Sequence, residues 1–64
     1  MEIKEIIPNL NKPVWCKGIE YQLTAGIIRK DKQGKTFYQV EILDKCKNSV
    51  CIAGLNDIKT ESTQ

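Results

Sequence analysis

Between Ile19 and Ile27 an apolar side chain stands at every odd position, Ile19, Tyr21, Leu23, Ala25 and Ile27. That period of two commits the middle of the chain to a β-strand with those five residues on one buried face. Gly26, on the opposite face, predicts a bulge or sharp bend, the device by which one long strand serves two sheets of a small barrel. The rest of the segment 14–58 reads the same way, as short strands between turn signals. Pro13 to Lys17 is a strand ended by Lys17-Gly18, and Arg29 to Lys35 is a polar hairpin loop containing Gly34. Thr36 to Leu43 is rich in β-branched and aromatic residues, with Tyr38, Val40 and Ile42 on one side and Phe37, Gln39, Glu41 and Leu43 on the other. Asp44 to Asn48 is a second turn, and Ser49 to Ala53 a fourth strand. Gly54 to Ile58 is a tight helical turn that caps the core with Leu55 and Ile58.

Four or five short strands with tight connections favour a closed or nearly closed barrel, because closure removes free edges. The order resembles the SH3-like small barrels, a group that includes Tudor-type and KOW-type modules. In those a strand turns at a glycine, a long bent strand follows, two hairpins come next, and one helical turn precedes the last strand. The resemblance covers Val14 to Ile58 and implies an all-β, mainly β fold: a small SH3-like barrel of four to five short strands with one 3-10 turn. It also implies a binding surface, since such barrels host readers of RNA, DNA, peptides and modified side chains. In size the chain resembles short bacterial or phage proteins.

Both ends differ from the middle, which divides the chain into an N-terminal arm or short helix (1–11), a small β-barrel domain (12–58) and a disordered tail (59–64). In the first segment Ile3, Ile6, Ile7 and Leu10 recur at helical spacing, while Pro8 disfavours a helical Ile7. A short helix ending before Ile7 and an extended arm both fit. Either exposes apolar side chains unless something covers them.

The chain has no histidine, which removes Ser-His-Asp and Cys-His arrangements. Glu20, Glu41, Asp44 and Asp57 are scattered over strand and turn positions and read as solvated surface charge. No Walker, Rossmann or metal-loop pattern occurs, so neither an enzyme nor a cofactor site is expected. Cys16, Cys46 and Cys51 form no C-x-x-C pair, so no metal is expected either. Their odd number and the lack of an export signal predict free thiols that act as small apolar residues. Cys46 and Cys51 bracket a turn, so a redox switch or cross-strand bridge between them is the alternative to inert thiols. No apolar run is long enough to span a membrane, so a soluble, cytoplasmic protein is expected.

Where the charges sit says more than their sum, a net +2 from ten basic and eight acidic residues. Arg29, Lys30, Lys32 and Lys35 fall within seven positions against the single acid Asp31, and Lys45 and Lys47 flank the next turn against Asp44. If both loops project from the same end of the sheet, they form one positive patch suited to the phosphates of nucleic acid or a nucleotide. Phe37 or Trp15 would add stacking on bases. Trp15 alternates with Val14 and Cys16 and so belongs to the outer face, either as an interface residue or packed under the amino-terminal arm.

Ile3, Ile6, Ile7, Leu10, Trp15, Phe37 and Leu43 exceed what the inner face can take, and a core this small is marginal alone. A homo-oligomer is therefore expected, with a dimer joined through the arm and the outer sheet face. Taken together, the residues describe a non-catalytic binding module for an anionic ligand. The alternative is a homo-oligomeric structural or inhibitory protein that acts through a protein partner, such as a phage-type sponge or anti-defence protein.

Overall fold

A computed structural model describes residues 1–61 of the chain. Five strands, β1 (Pro13–Cys16), β2 (Ile19–Lys30), β3 (Thr36–Asp44), β4 (Ser49–Gly54) and β5 (Ile58–Lys59), form one antiparallel sheet. The sheet order is β4-β3-β2-β1-β5. It curls into a half-barrel, a small mainly β fold. Three short 3-10 turns complete the chain: Ile3–Glu5 and Ile7–Asn9 before the sheet, and Leu55–Asp57 between β4 and β5.

Local chemistry explains the connections. Lys17 and Gly18 both take positive φ, 53° and 80°, and close β1 onto β2 as a two-residue hairpin turn of the primed kind, whose twist suits the flanking strands. The β2–β3 loop is a turn from Asp31 to Gly34, with the Gly34 N–H donating to the Asp31 carbonyl at 3.0 Å and Gly34 at φ 83°. That is the arrangement of a three-residue hairpin loop with a glycine bulge. Ile58 leaves the helical turn in which the sequence placed it and starts β5 instead, pairing with Cys16 while Lys59 pairs with Trp15. Lys59 thus belongs to the sheet and not to a tail, and residues 62–64 of that expected tail lie outside the described residues.

The long strand departs from the expected single buried face. Leu23 pairs with Ile42 and Ala25 with Glu41, so Thr24 is an extra residue that shifts the register. The bulge therefore lies at Thr24, and Gly26 is regular strand. Before the bulge Tyr21 and Leu23 face inward; after it Gly26 and Ile28 take the inner side beside Val40 and Tyr38, while Ala25 and Ile27 turn outward beside Glu41 and Gln39. The Thr24 hydroxyl is 2.8 Å from the Glu41 carboxylate and 3.0 Å from the Glu41 carbonyl, which satisfies the polar groups at the irregularity.

Gly26 acquires a different role. A Cβ there would stand 2.8 Å from Cγ2 of Ile6, so the missing side chain is the space into which the N-terminal segment packs. Of the two alternatives the short helix is the one found: a 3-10 turn over Ile3–Glu5 ends before Ile7, and a second over Ile7–Asn9 follows it, with Pro8 tolerated in its first turn. The Glu2 N–H donates to the Glu5 carboxylate at 2.8 Å, and the Asn9 side-chain amide donates to the Glu5 carbonyl at 2.8 Å. The amino group of Met1 donates to the carbonyls of Ile58 at 2.7 Å and Leu55 at 3.1 Å, tying the segment to the far end of the sheet.

The core consists of Ile6, Val14, Leu23, Val40, Ile42 and Ile58, with Met1, Leu10, Cys16, Tyr21, Ala53 and Leu55 packed around it. Ile6 and Leu10, expected in a self-association surface, are thus spent on the chain's own core.

Two stability changes follow from these contacts. Lys17→Asn should raise stability by about 0.5 kcal/mol, because asparagine tolerates the left-handed conformation that Lys17 adopts with strain; thermal unfolding measures it. Gly26→Ala should destabilise by roughly 1–3 kcal/mol through overpacking against Ile6. The loss should be much smaller when measured in an Ile6→Ala background, and strict additivity of the two changes would contradict the contact.

Candidate functional site

The β2–β3 hairpin outruns its neighbours. β1 pairs with β2 only as far as Gln22, and β4 reaches β3 only from Gln39 onward. Beyond Ile27 and Gln39 the two strands continue to Lys30 and Thr36 as a free ribbon, roughly 10 Å long before its turn at about 3.3 Å per residue. The ribbon fits the elongated shape of the molecule, 37 × 22 × 20 Å.

The tip of this ribbon carries Arg29, Lys30, Lys32 and Lys35, all exposed. None of the four makes an ion pair among the described residues, in contrast to Lys4, which pairs with Glu2 at 3.4 Å. Asp31, the acid in their midst, is engaged otherwise. Its Oδ1 accepts the Gln33 N–H at 2.9 Å and the Lys35 N–H at 2.8 Å, so its carboxylate organises the turn from inside. Arg29 lies directly across from Phe37 on the outer face, and Phe37 is 40% exposed. A cation and an aromatic ring thus stand side by side on the ribbon, the pairing that a stacked base and its phosphate require.

Lys45 and Lys47 do not join this patch. They lie in the β3–β4 turn, at the opposite end of β3, roughly 26 Å from the ribbon tip for a strand of this length. The condition for a single positive patch is therefore not met. In this turn too the acid is a builder: Asp44 Oδ1 accepts the Cys46 N–H at 3.0 Å and the Lys47 N–H at 3.3 Å.

The remaining singled-out residues divide between the two faces of the sheet. Trp15 and Leu43 are half-buried on the outer face, Trp15 beside Glu20 and Lys59 and Leu43 beside Gln22 and Val50. The amino-terminal segment packs on the inner face, so it does not cover Trp15. Ile3 and Ile7 are 52% and 79% exposed and, with Ile28 at 73%, border an open apolar groove of about 280 Å³ between that segment and the ribbon. A second hollow of about 330 Å³ lies at the other end of the inner face, where Cys16, Cys51 and Tyr21 meet. Loss of water around the Tyr21 phenol raises its pKa above the ordinary 10, and Cys51, Cys16 and Asp44 push the same way.

All three cysteines are free. Cys51 pairs with Ile42 and Cys46 sits within the turn, so the two do not face each other across the hairpin. Among the described residues no cluster of three metal-ligating side chains occurs, and no helix is long and apolar enough to cross a membrane. No protein-family model, curated protein or solved structure matches this chain.

Asp31 separates loop order from tip charge. Asp31→Asn keeps an oxygen acceptor for the Gln33 and Lys35 amides and should leave thermal stability within about 0.5 kcal/mol of the parent. Asp31→Ala should lower it by about 1 kcal/mol and speed hydrogen exchange at those two amides. Equal exchange in both variants would contradict the assigned role of the carboxylate.

Proposed function

We propose that this chain is a non-catalytic module that binds nucleic acid through the basic β2–β3 ribbon. The carrying observation is the set of four unpaired cations at the end of a projecting two-stranded arm, with the Arg29–Phe37 pair beside them. Phosphate contact needs mobile, solvated cations that can exchange counterions for a polyanion, and these four are free to do so. A two-stranded ribbon also matches the width of the DNA major groove, about 12 Å.

The geometry favours a polymer over a mononucleotide. A small ligand is held in a concave site that removes most of its surface from water. Neither the apolar groove nor the hollow at Cys16, Cys51 and Tyr21 is lined by Arg29, Lys30, Lys32 or Lys35. A convex tip meets a long phosphate backbone instead. The likeness to SH3-like barrels belongs to the same proposal, as does a cytoplasmic location, which suits three free thiols.

Fluorescence anisotropy with labelled duplex and single-stranded oligonucleotides tests the reading. With three or four phosphates neutralised, log K against log salt should fall with a slope of about −2.7 to −3.6 on duplex and about −2 to −3 on single strands, so that affinity drops steeply between ~50 and ~200 mM salt. Replacing Arg29, Lys30, Lys32 and Lys35 together by glutamate should abolish binding while the circular dichroism spectrum is retained. Lys45→Glu with Lys47→Glu should act weakly by comparison, being at the wrong end of the sheet. Asp31→Asn should tighten binding, and Phe37→Ala should weaken single-strand binding by about 1–3 kcal/mol. Binding that survives the fourfold replacement would overturn the proposal.

A further inference from the structure

β4 ends the sheet, and among the described residues no strand lies beside its outer edge. Its six residues, Ser49-Val50-Cys51-Ile52-Ala53-Gly54, contain no charge and no proline. Val50 is 57% and Ile52 47% exposed, and Cys51 is exposed between them. Sheet edges that face water are ordinarily blunted by lysine, proline, bulges or brevity, since a row of free N–H and C=O groups pairs with any strand that meets it. The opposite edge follows that rule, because β5 is only two residues long. β4 does not.

We infer that the β4 edge is a homodimer interface, on which β4 of a second copy pairs antiparallel about a two-fold axis to make one ten-stranded sheet. Two arguments select a second copy as the occupant. First, two-fold antiparallel pairing is self-complementary for a single strand, since each residue meets the same surface that its partner presents. Val50 and Ile52 of both copies then form one apolar stripe on the outer face, continued by Leu43, the cross-strand neighbour of Val50.

Second, the charges flanking the strand match. Exposed Lys45 and Lys47 lie in the turn at its start, and exposed Asp57 lies in the 3-10 turn at its end. Antiparallel pairing sets the lysine turn of each copy beside the acidic turn of the other, twice over; parallel pairing would set like beside like.

This surface differs from the one expected from sequence, which combined the N-terminal segment with the outer face. It is also independent of nucleic-acid binding, since the ribbon tips lie away from the paired edge.

Light scattering under reducing conditions, from low to high micromolar protein, should report twice the chain mass. Val50→Lys with Ile52→Lys should raise the dimer dissociation constant more than tenfold and retain the circular dichroism spectrum. Ile3→Lys with Ile7→Lys, which alters the apolar groove, should leave the dimer intact. Should the β4 variant fail to fold, hydrogen exchange on the unaltered chain decides, with β4 amides slowing selectively as concentration rises. A chain that stays monomeric at high micromolar concentration overturns the proposal. So does a dimer that survives the β4 changes but is lost in the groove variant, and so do β4 amides indifferent to concentration.

Discussion

The extra residue at Thr24 is the constraint on which the two halves of the molecule depend. Side chains alternate along a strand, so one inserted position exchanges every later residue between faces. In β2 that exchange brings Gly26 to the inner side just where Ile6 needs room, with 2.8 Å left to a Cβ that is absent. It also moves Ile27 and Arg29 to the outer face, beside Gln39 and Phe37. Without the shift, Ala25 and Ile27 would occupy the inside, the N-terminal segment would have no glycine to rest on, and Arg29 would not stand across from Phe37. The Thr24 hydroxyl and Glu41 close the irregularity on themselves, which lets the bulge persist.

That arrangement separates the core that holds the chain from the ribbon proposed to meet nucleic acid. All six core residues are apolar, and they come from the N-terminal segment and every strand except β4. The ribbon beyond Gln39 draws on this core only through the segment that backs Gly26 and Ile28. Segments with few buried contacts open more readily than the global fold, and binding loops are drawn from that end of the scale. Asp31 offsets the tendency at the tip by holding two backbone amides through Oδ1, and none of the four cations around it makes an ion pair among the described residues.

Strands and turns were legible in the sequence because each rests on a local rule: period two from Ile19, β-branched and aromatic residues from Thr36, glycine at Gly18 and Gly34. The position of the bulge was not. Gly26 carried the expected signal, yet a bulge at Thr24 needs no glycine, and the packing demand that fixes glycine at 26 comes from Ile6, twenty residues earlier. The N-terminal segment followed tertiary contact, with Ile6 docking inside while Ile7 stays in water. The separation of the two basic turns, by contrast, was available all along: successive hairpin loops of an antiparallel meander fall at alternate ends, so Lys45 and Lys47 can share no end with Lys32. The bareness of the β4 edge was hidden for a different reason. Val50 and Ile52 read as ordinary strand residues until the sheet order places nothing beside them.

That bare edge is itself a product of how the half-barrel is closed. β4 and β5 are the two ends of the sheet and are separated by only three residues, yet they do not pair with each other. The Leu55–Asp57 turn bridges them, and the Met1 amino group takes up the carbonyls of Leu55 and Ile58. Closure is thus made by a turn and the N-terminal segment in place of a hydrogen-bonded ladder. A ladder would have used the outer N–H and C=O groups of β4; the turn leaves them free. Ile58 can then be fully enclosed against Val14 and Ile6 while Val50 and Ile52 stay in water. The same short connection that completes the core of one chain leaves the β4 edge open, as the proposed pairing with a second chain requires.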